Sequence, residues 1–267
     1  MATEIHPAAS VLPKAEIGAN VKVGPFCSVD EYVRLDDGVE LLAHVAVGGF
    51  TEVGEGTVIY PFAAVGFAPQ DMKYAGEPSR LVIGKNNRIR EHVTIHPGTK
   101  TGKMLTSVGD GCLFMATTHV AHDCMIGNSV VMANNATLGG HVEVGDCAVL
   151  GGLCAIHQFV RIGQYAMVGG TAGVESDVIP YGLVQGRRAN LSGLNMVGMK
   201  RRGIGSEEIR TMRNAYRQLF TEPGSFANKL IEVAEVYSDE PRVMEIVEFV
   251  KSPTLRAISQ PEIDHKG

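Results

Sequence analysis

The sequence predicts a mainly β fold, a β-helix of short strands followed by a small C-terminal α-helical domain. Three observations carry this. Apolar residues recur at a strict six-residue step through the first two thirds of the chain. Glycine often follows them. Beyond about residue 187 the step is lost and helical spacing takes over.

The step is plainest from Val108. Val108, Phe114, Val120, Ile126, Met132, Leu138, Val144, Leu150, Ile156, Ile162, Val168 and Val174 are all apolar. An N-terminal run keeps the same step from Ile5 to Val65, and a third block follows at Ile83, Ile89 and Ile95. The register survives the interruption between Val65 and Ile83 and slips by one residue between Ile95 and Val108. Four residues after each apolar position stands a small or β-branched residue, such as Val21, Cys27, Thr118, Cys124 or Ala136. Such residues suit a tight inward corner or a short strand. An α-helix needs a period of 3.6 and an amphipathic strand a period of 2.0, and six fits neither alone. It fits a coil whose short strands each form one flat face.

Composition narrows the function. The 267 residues carry a net charge of −5, which gives no whole-protein case for nucleic acid. The N-terminus has neither a basic segment nor an apolar run of signal-peptide type. No apolar run reaches the length of a membrane span, so stable membrane insertion is not expected. The five cysteines form no CxxC pair, which points to free, buried thiols in a reducing compartment. A cytoplasmic location is therefore expected.

The pattern of an aliphatic residue, glycine, two variable positions and a small residue resembles the hexapeptide-repeat acyltransferases. That resemblance implies a left-handed parallel β-helix, three hexapeptides to each triangular coil, and a homotrimer. The left hand comes from the resemblance alone, because crossovers between parallel strands are normally right-handed. The β-helix is expected over 1–186 and the helical domain over 187–267. In the second part, Ser206 reads as the N-cap of a helix over 206–220, with Glu207 and Glu208 in its first turn. Two more helices are expected over 226–237 and 241–252, after the break at Pro223-Gly224-Ser225.

An eighteen-residue coil gathers the histidines. His122 and His141, nineteen apart, fall near one edge on adjacent rungs, and His157 follows sixteen later. His119 lies just before His122, and His96 lies across the register slip. The stretch "THVAHDC" (118–124) leaves three readings: a metal site, a base with its carboxylate, or buried histidines without chemistry. A metal needs three ligands converging on one point. The zinc-dependent β-helix proteins separate their close histidine pair by four residues, whereas two separate it here. A base needs a carboxylate to fix its tautomer. Asp123 follows His122 directly, but neighbours on an extended strand point to opposite faces and only a corner can bring them together.

Narrower motifs specify the family. "PQDMKYAGEPSR" (69–80), "TIHPGT" (94–99), "HVAHDC" (119–124), "VMANNATLGGHV" (131–142), "IHQF" (156–159) and "NMVGMKRRG" (195–203) closely resemble the acyl-carrier-protein–UDP-N-acetylglucosamine O-acyltransferases over essentially the whole chain. The resemblance implies transfer of a 3-hydroxyacyl chain from acyl carrier protein to the 3-hydroxyl of UDP-N-acetylglucosamine, the first step of lipid A biosynthesis. It makes His122 the general base, Asp123 its partner and the Gly140 N–H the oxyanion donor. Gln70, Asp71 and Lys73 match sugar and phosphate contacts. His119, His141, His157 and Gln158 line the nucleotide-sugar cleft. Asn195 and Arg201 match uridine and phosphate contacts from a neighbouring subunit. Val197 stands where the family often has Glu, which puts one uridine contact in doubt. Gly170 and Arg188 match positions that set acyl-chain length, and a residue without a side chain implies a longer chain. No metal and no cofactor are expected beyond the phosphopantetheine of the acyl carrier protein. The basic run Arg187, Arg188, Lys200, Arg201, Arg202, Arg210, Arg213 and Arg217 would steer that acidic partner. Competing readings are an acetyl-CoA-dependent acetyltransferase, the N-acyltransferase of the same pathway, a zinc hydratase and a non-catalytic β-helix. The N-acyltransferase is disfavoured because its extra N-terminal domain has no counterpart before the repeats at Ile5.

Overall fold

The structure, a computed structural model, describes residues 2–262. Met1 of the expected first domain and residues 263–267 of the second lie outside the described residues. The chain winds as a left-handed parallel β-helix with three flat faces. Among the described residues the faces are sheets of 11, 9 and 8 strands. Strands one coil apart pair in parallel register, as Lys22–Val23 does with Glu40–Leu41 and Glu40–Leu41 with Val58–Ile59.

The six-residue step is the distance from face to face. The second residue of each two-residue strand points inward and is buried, from Val23 to Val174. The small residues four positions on, including Val21, Cys27, Thr118, Cys124 and Ala136, fill the inner corners and are buried too. In the first coil, beneath which no described residue packs, Ile5 is exposed, and Val11 and Ile17 are only half-buried. All five cysteines are free. Cys147 departs from the expected burial and is half-buried. It falls outside the inward repeat positions, at a corner with φ +61°.

The corners turn through the left-handed region. Asn135, His141, Cys147, Leu153, Phe159 and Tyr165 all have φ between +57° and +65°. This conformation costs a non-glycine residue about 1–2 kcal/mol. The stacked coils offset it, because each corner N–H donates to the coil before it, as His141 does to the His122 carbonyl at 2.9 Å and Cys147 to Asn128 at 2.8 Å.

Two insertions leave the helix near one edge. Val53 pairs with Ile83, thirty residues on, so twelve extra residues form a loop between Val65 and Arg80. Ile83 pairs with Val108, twenty-five residues on, so seven extra residues form a second loop between Ile95 and Leu105. Twelve is a multiple of six and seven is one more. The first insertion therefore left the sequence register intact and the second shifted it by one.

The β-helix closes with Gly182–Gln185, parallel to Met167–Val168, which then pairs antiparallel with Asn190–Leu194. Residue 186, the expected domain boundary, lies in the turn of this hairpin. Helix α1 (Met196–Arg201) follows, a short element that the helical spacing did not predict. The other helices are α2 (Ser206–Phe220), α3 (Phe226–Val236) and α4 (Pro241–Lys251). Ser206 is the first residue of α2 and not its cap. Gly205 holds the cap position and no side chain caps the helix. The helices pack through Met212, Leu219, Val233, Ile246 and Val247. Buried Tyr181 ties them to the last coil, its hydroxyl meeting Glu245 and receiving hydrogen bonds from Arg242 (3.1 Å) and Gln164 (3.2 Å).

Candidate active site

The corner between the second and third faces collects the chemistry. His119 lies on the second-face strand His119–Val120, His122 and Asp123 at the corner that follows, and His141 at the same corner one coil later. Asp123 has φ +59°, and this turn removes the strand alternation that would separate it from His122. The His122 Nδ1 lies 2.8 Å from an Asp123 carboxylate oxygen. The His122 and His141 rings meet edge to face at 5.0 Å, and His141 stacks flat on Phe159 at 4.4 Å. Phe159, eighteen residues on, is the ring directly above His141, and His157 lies at the same corner two residues before it.

Asp123 is fully buried, and the second inserted loop wraps it. Its carboxylate accepts from the Thr99 hydroxyl (2.6 Å), the Thr99 N–H (3.1 Å to each oxygen), the Lys103 N–H (2.7 Å) and His122. Burial alone pushes a carboxyl pKa up. Here the Thr99 hydroxyl, His122 and the two backbone N–H groups outweigh burial and hold Asp123 below the ordinary value. The Asp123 N–H donates to the Thr106 hydroxyl at 2.8 Å. A Cβ on Gly102 would lie 2.3 Å from the carboxylate carbon, so only glycine lets the loop pass this close. Position-by-position reading of the sequence missed Thr99, Gly102, Lys103 and Thr106. Their signal was the register slip itself, which marked a loop without showing what it covered.

Gly140 lies against the His122 ring. A Cβ there would stand 2.6 Å from Cε1 and 2.7 Å from Nε2. Two more histidines lie alongside. The His119 Nδ1 meets the Thr94 hydroxyl at 2.7 Å, and the His119 ring abuts buried His96 edge to face at 4.9 Å. Burial and the neighbouring His119 and His122 push His96 down to about 4. Burial lowers His119 and His141 as well. The His96 Nδ1 accepts the Gln70 N–H at 3.4 Å, so the site carries the first inserted loop. In that loop Asp71 accepts the Lys73 N–H at 3.0 Å, while Gln70 and Lys73 are exposed.

Candidate metal-ligand atoms of His122, Asp123 and His141 lie within 4.8 Å of one another. The donor set does not suit a cation. Both carboxylate oxygens already accept N–H or O–H bonds, and a metal would have to displace them.

Other expected residues lie elsewhere on this chain. His157 and Gln158 are exposed one coil above His141. Asn195 lies at the corner between the third and first faces. Its Nδ2 donates to the Tyr165 carbonyl (2.9 Å), and its Oδ1 caps α1 by accepting the Gly198 N–H (2.9 Å). Arg201 is exposed at the end of α1 and Val197 near its start. Gly170 is exposed at the corner between the first and second faces, where a Cβ would lie 3.2 Å from the Gly152 carbonyl. Arg188 is exposed and 3.7 Å from Glu175. Thus His119, His122, Asp123, Gly140 and His141 converge on one chain, with Gln70 tied to them through His96, whereas Asn195, Arg201, Gly170 and Arg188 do not.

Comparison with known proteins gives a consistent result. Residues 177–259 match the second domain of the UDP-N-acetylglucosamine O-acyltransferase family model, and residues 106–140 match the bacterial transferase hexapeptide model of six repeats. An acyl-[acyl-carrier-protein]–UDP-N-acetylglucosamine O-acyltransferase of Rhizobium johnstonii is 46% identical over 98% of this chain and 97% of its own length. Its counterpart in Caulobacter vibrioides is 50% identical over 97% and 98%. The solved UDP-N-acetylglucosamine acyltransferase of Campylobacter jejuni superposes with a TM-score of 0.92 at 36% identity, covering 97% of this chain and 100% of that one. The Arabidopsis enzyme superposes with a TM-score of 0.85 at 36% identity, covering 96% and 100%. With 46–50% identity over nearly the full length of curated relatives and the same fold in the solved structures, the chain is a member of the acyl-[acyl-carrier-protein]–UDP-N-acetylglucosamine O-acyltransferase family.

Proposed function

We propose that this chain moves a 3-hydroxyacyl group from the phosphopantetheine of acyl carrier protein to the 3-hydroxyl of UDP-N-acetylglucosamine, with His122 as general base. The observation that carries the reading is the His122–Asp123 pair set against Gly140. Ionised Asp123 can only accept, so His122 carries its proton on Nδ1 and Nε2 is the basic nitrogen. A sugar hydroxyl is a weak nucleophile near neutral pH. Nε2 takes its proton as the oxygen attacks the thioester carbonyl. The carbonyl oxygen gains the negative charge, and in this reading the Gly140 N–H donates to it. The intermediate then collapses, the C–S bond breaks, and the imidazolium returns the proton to the departing sulfur. Asp123 stabilises the imidazolium between these steps.

The remaining expected residues fit a site completed by neighbouring copies. Asn195 and Gly170 lie at other corners of their own chain, Arg188 in the closing hairpin and Arg201 at the end of α1, and a homotrimer would bring such positions to a neighbour's site. Gln70, Asp71, Lys73, His119, His141, His157 and Gln158 then bind the nucleotide sugar. Gly170 and Arg188 bound the acyl groove. The eight basic side chains between Arg187 and Arg217 are all exposed, as docking of an acidic carrier protein requires. No helix among the described residues is long and apolar enough to cross a membrane. The reading places the reaction in the cytoplasm.

The test is an acyl-transfer assay with acyl carrier protein thioester and UDP-N-acetylglucosamine. His122→Ala is expected to lose about 10²–10⁴-fold in kcat, the usual worth of general-base assistance. Near-normal turnover by a folded His122→Ala variant would overturn the assignment.

A further inference from the structure

After α4 the chain crosses back over the last coil, and Asp177 anchors it. Asp177 is fully buried, and its carboxylate accepts from Arg161 Nε (2.7 Å), the Arg161 N–H (2.8 Å) and the Thr254 hydroxyl (2.7 Å). Its own N–H donates to the Ala257 carbonyl (2.7 Å), and its carbonyl accepts from the Ser259 N–H (2.8 Å). A parallel bridge joins Asp177 to Ile258, and Leu191 donates to the Gln260 carbonyl at 2.9 Å. The strap is therefore held on both sides of Arg256.

Arg256 reaches from the strap to the corner above His141. Its Nη2 lies 2.5 Å from the His157 Nδ1. Its Nε and Nη2 also donate to the Gln158 carbonyl at 3.0 and 2.8 Å. A guanidinium has five donors, no acceptor, and stays charged. The His157 Nδ1 also lies 3.3 Å from the Gln158 carbonyl, but Arg256 occupies that oxygen with two shorter hydrogen bonds; facing a guanidinium that can only donate, Nδ1 accepts, and a neutral ring then carries its proton on Nε2. Among the described residues Nε2 has no hydrogen-bond partner.

We infer that Arg256 is a positioning residue that locks His157 as an Nε2–H donor for an oxygen of the bound nucleotide sugar. The substrate half of this inference rests on the proposed function, and the tautomer half does not. Two features favour an oxygen acceptor at this spot. The only hydrogen His157 can offer is a donor, and the guanidinium behind it adds positive potential that suits a hydroxyl or phosphate oxygen. The Gln158 carbonyl is occupied by Arg256, so Gln158 has only its side chain to offer a ligand.

The test combines spectroscopy and kinetics on the full chain. In 15N-histidine-labelled protein, His157 is expected as the Nε2–H tautomer in the wild type and as a mixture in Arg256→Ala. Removing one such hydrogen bond from substrate binding predicts about a tenfold rise in KM for UDP-N-acetylglucosamine. The KM for the acyl donor and kcat should stay near wild type, and Arg256→Lys, with one donor group, should fall between. Leu255→Ala is the control, since Leu255 is exposed on the same strap. It should change neither the tautomer nor the KM values. An unchanged His157 tautomer in Arg256→Ala, or an unchanged nucleotide-sugar KM, overturns the inference. A wild-type protein that transfers no acyl group would count against the proposed function, while the tautomer shift would still support the positioning role.

Discussion

Asp123→Asn separates geometry from charge. Asparagine has nearly the same shape but one acceptor oxygen in place of two. In its best orientation that oxygen faces the Thr99 and Lys103 N–H groups, and the amide N–H₂ faces the Thr99 hydroxyl and His122 Nδ1. The Thr99 hydroxyl can rotate to accept. His122 has no such freedom, because its Nδ1 must now accept and its proton moves to Nε2. The base is then protonated on the nitrogen that should take the sugar proton. Activity should fall to the level of an enzyme without a base, a loss of about 10²–10⁴-fold in kcat. The stability cost is smaller. Charge-assisted bonds are worth about 1.5–3 kcal/mol each and neutral ones about 0.5–1.5, and the penalty for burying a charge also disappears, so about 1–3 kcal/mol is expected. The assay is initial rates over both substrates across pH, with denaturant unfolding of the same sample. Asp123→Asn with kcat within about tenfold of wild type, and an intact fold, would refute the tautomer argument.

Four further outcomes follow from the same structure. Gly140→Ala puts a methyl group 2.6–2.7 Å from the His122 ring, so the ring must move; kcat should drop at least about tenfold with little change in Tm, and an unchanged kcat would show that the ring position does not matter. His96 is held down to about 4 in the fold, whereas its unfolded form takes up a proton below about 6.5, so stability should fall as pH drops through that window. The full effect is on the order of 3 kcal/mol, and the lowered His119 and His141 act in the same direction. In urea titrations His96→Gln should flatten this pH slope, and an unchanged slope would remove His96 from the account. Asp123 has the opposite pH range: its contribution is present above the unfolded carboxyl value near 3.9 and is lost as pH falls through its depressed folded value. Leu138→Ala, in the fully buried stack just before Gly140, should cost about 2–5 kcal/mol by denaturant unfolding, and a cost below about 1 kcal/mol would show the coil to be loosely packed there.

The β-helix was legible because its core is written as a period. A coil that places one inward residue every six positions leaves no freedom in where Val120, Ile126 or Leu138 may lie. The insertions were legible only modulo six, which hid their true lengths of twelve and seven residues. Residue spacing also brought His122 and His141 together, since stacked coils put residues one turn apart on the same edge. It passed over Phe159, one full coil beyond His141, whose ring stacks flat on it, while His157 holds the same corner at two residues of offset. Ser206 failed as a cap because cap chemistry depends on the backbone angle of one residue, and Gly205 is the residue that takes it.

By itself, then, the sequence determined the repeat, its core and the edge on which the histidines gather, because these follow from local periodicity. Tertiary structure decided the rest. The left-handed corner at Asp123 turned its carboxylate toward His122, the second loop supplied Thr99 and Lys103 to hold that carboxylate ionised, and the C-terminal strap brought Arg256 to His157 across 99 residues of chain. Each of these contacts joins groups whose meeting depends on how loops and tail fold back on the coil, and no spacing in the sequence encodes that return path.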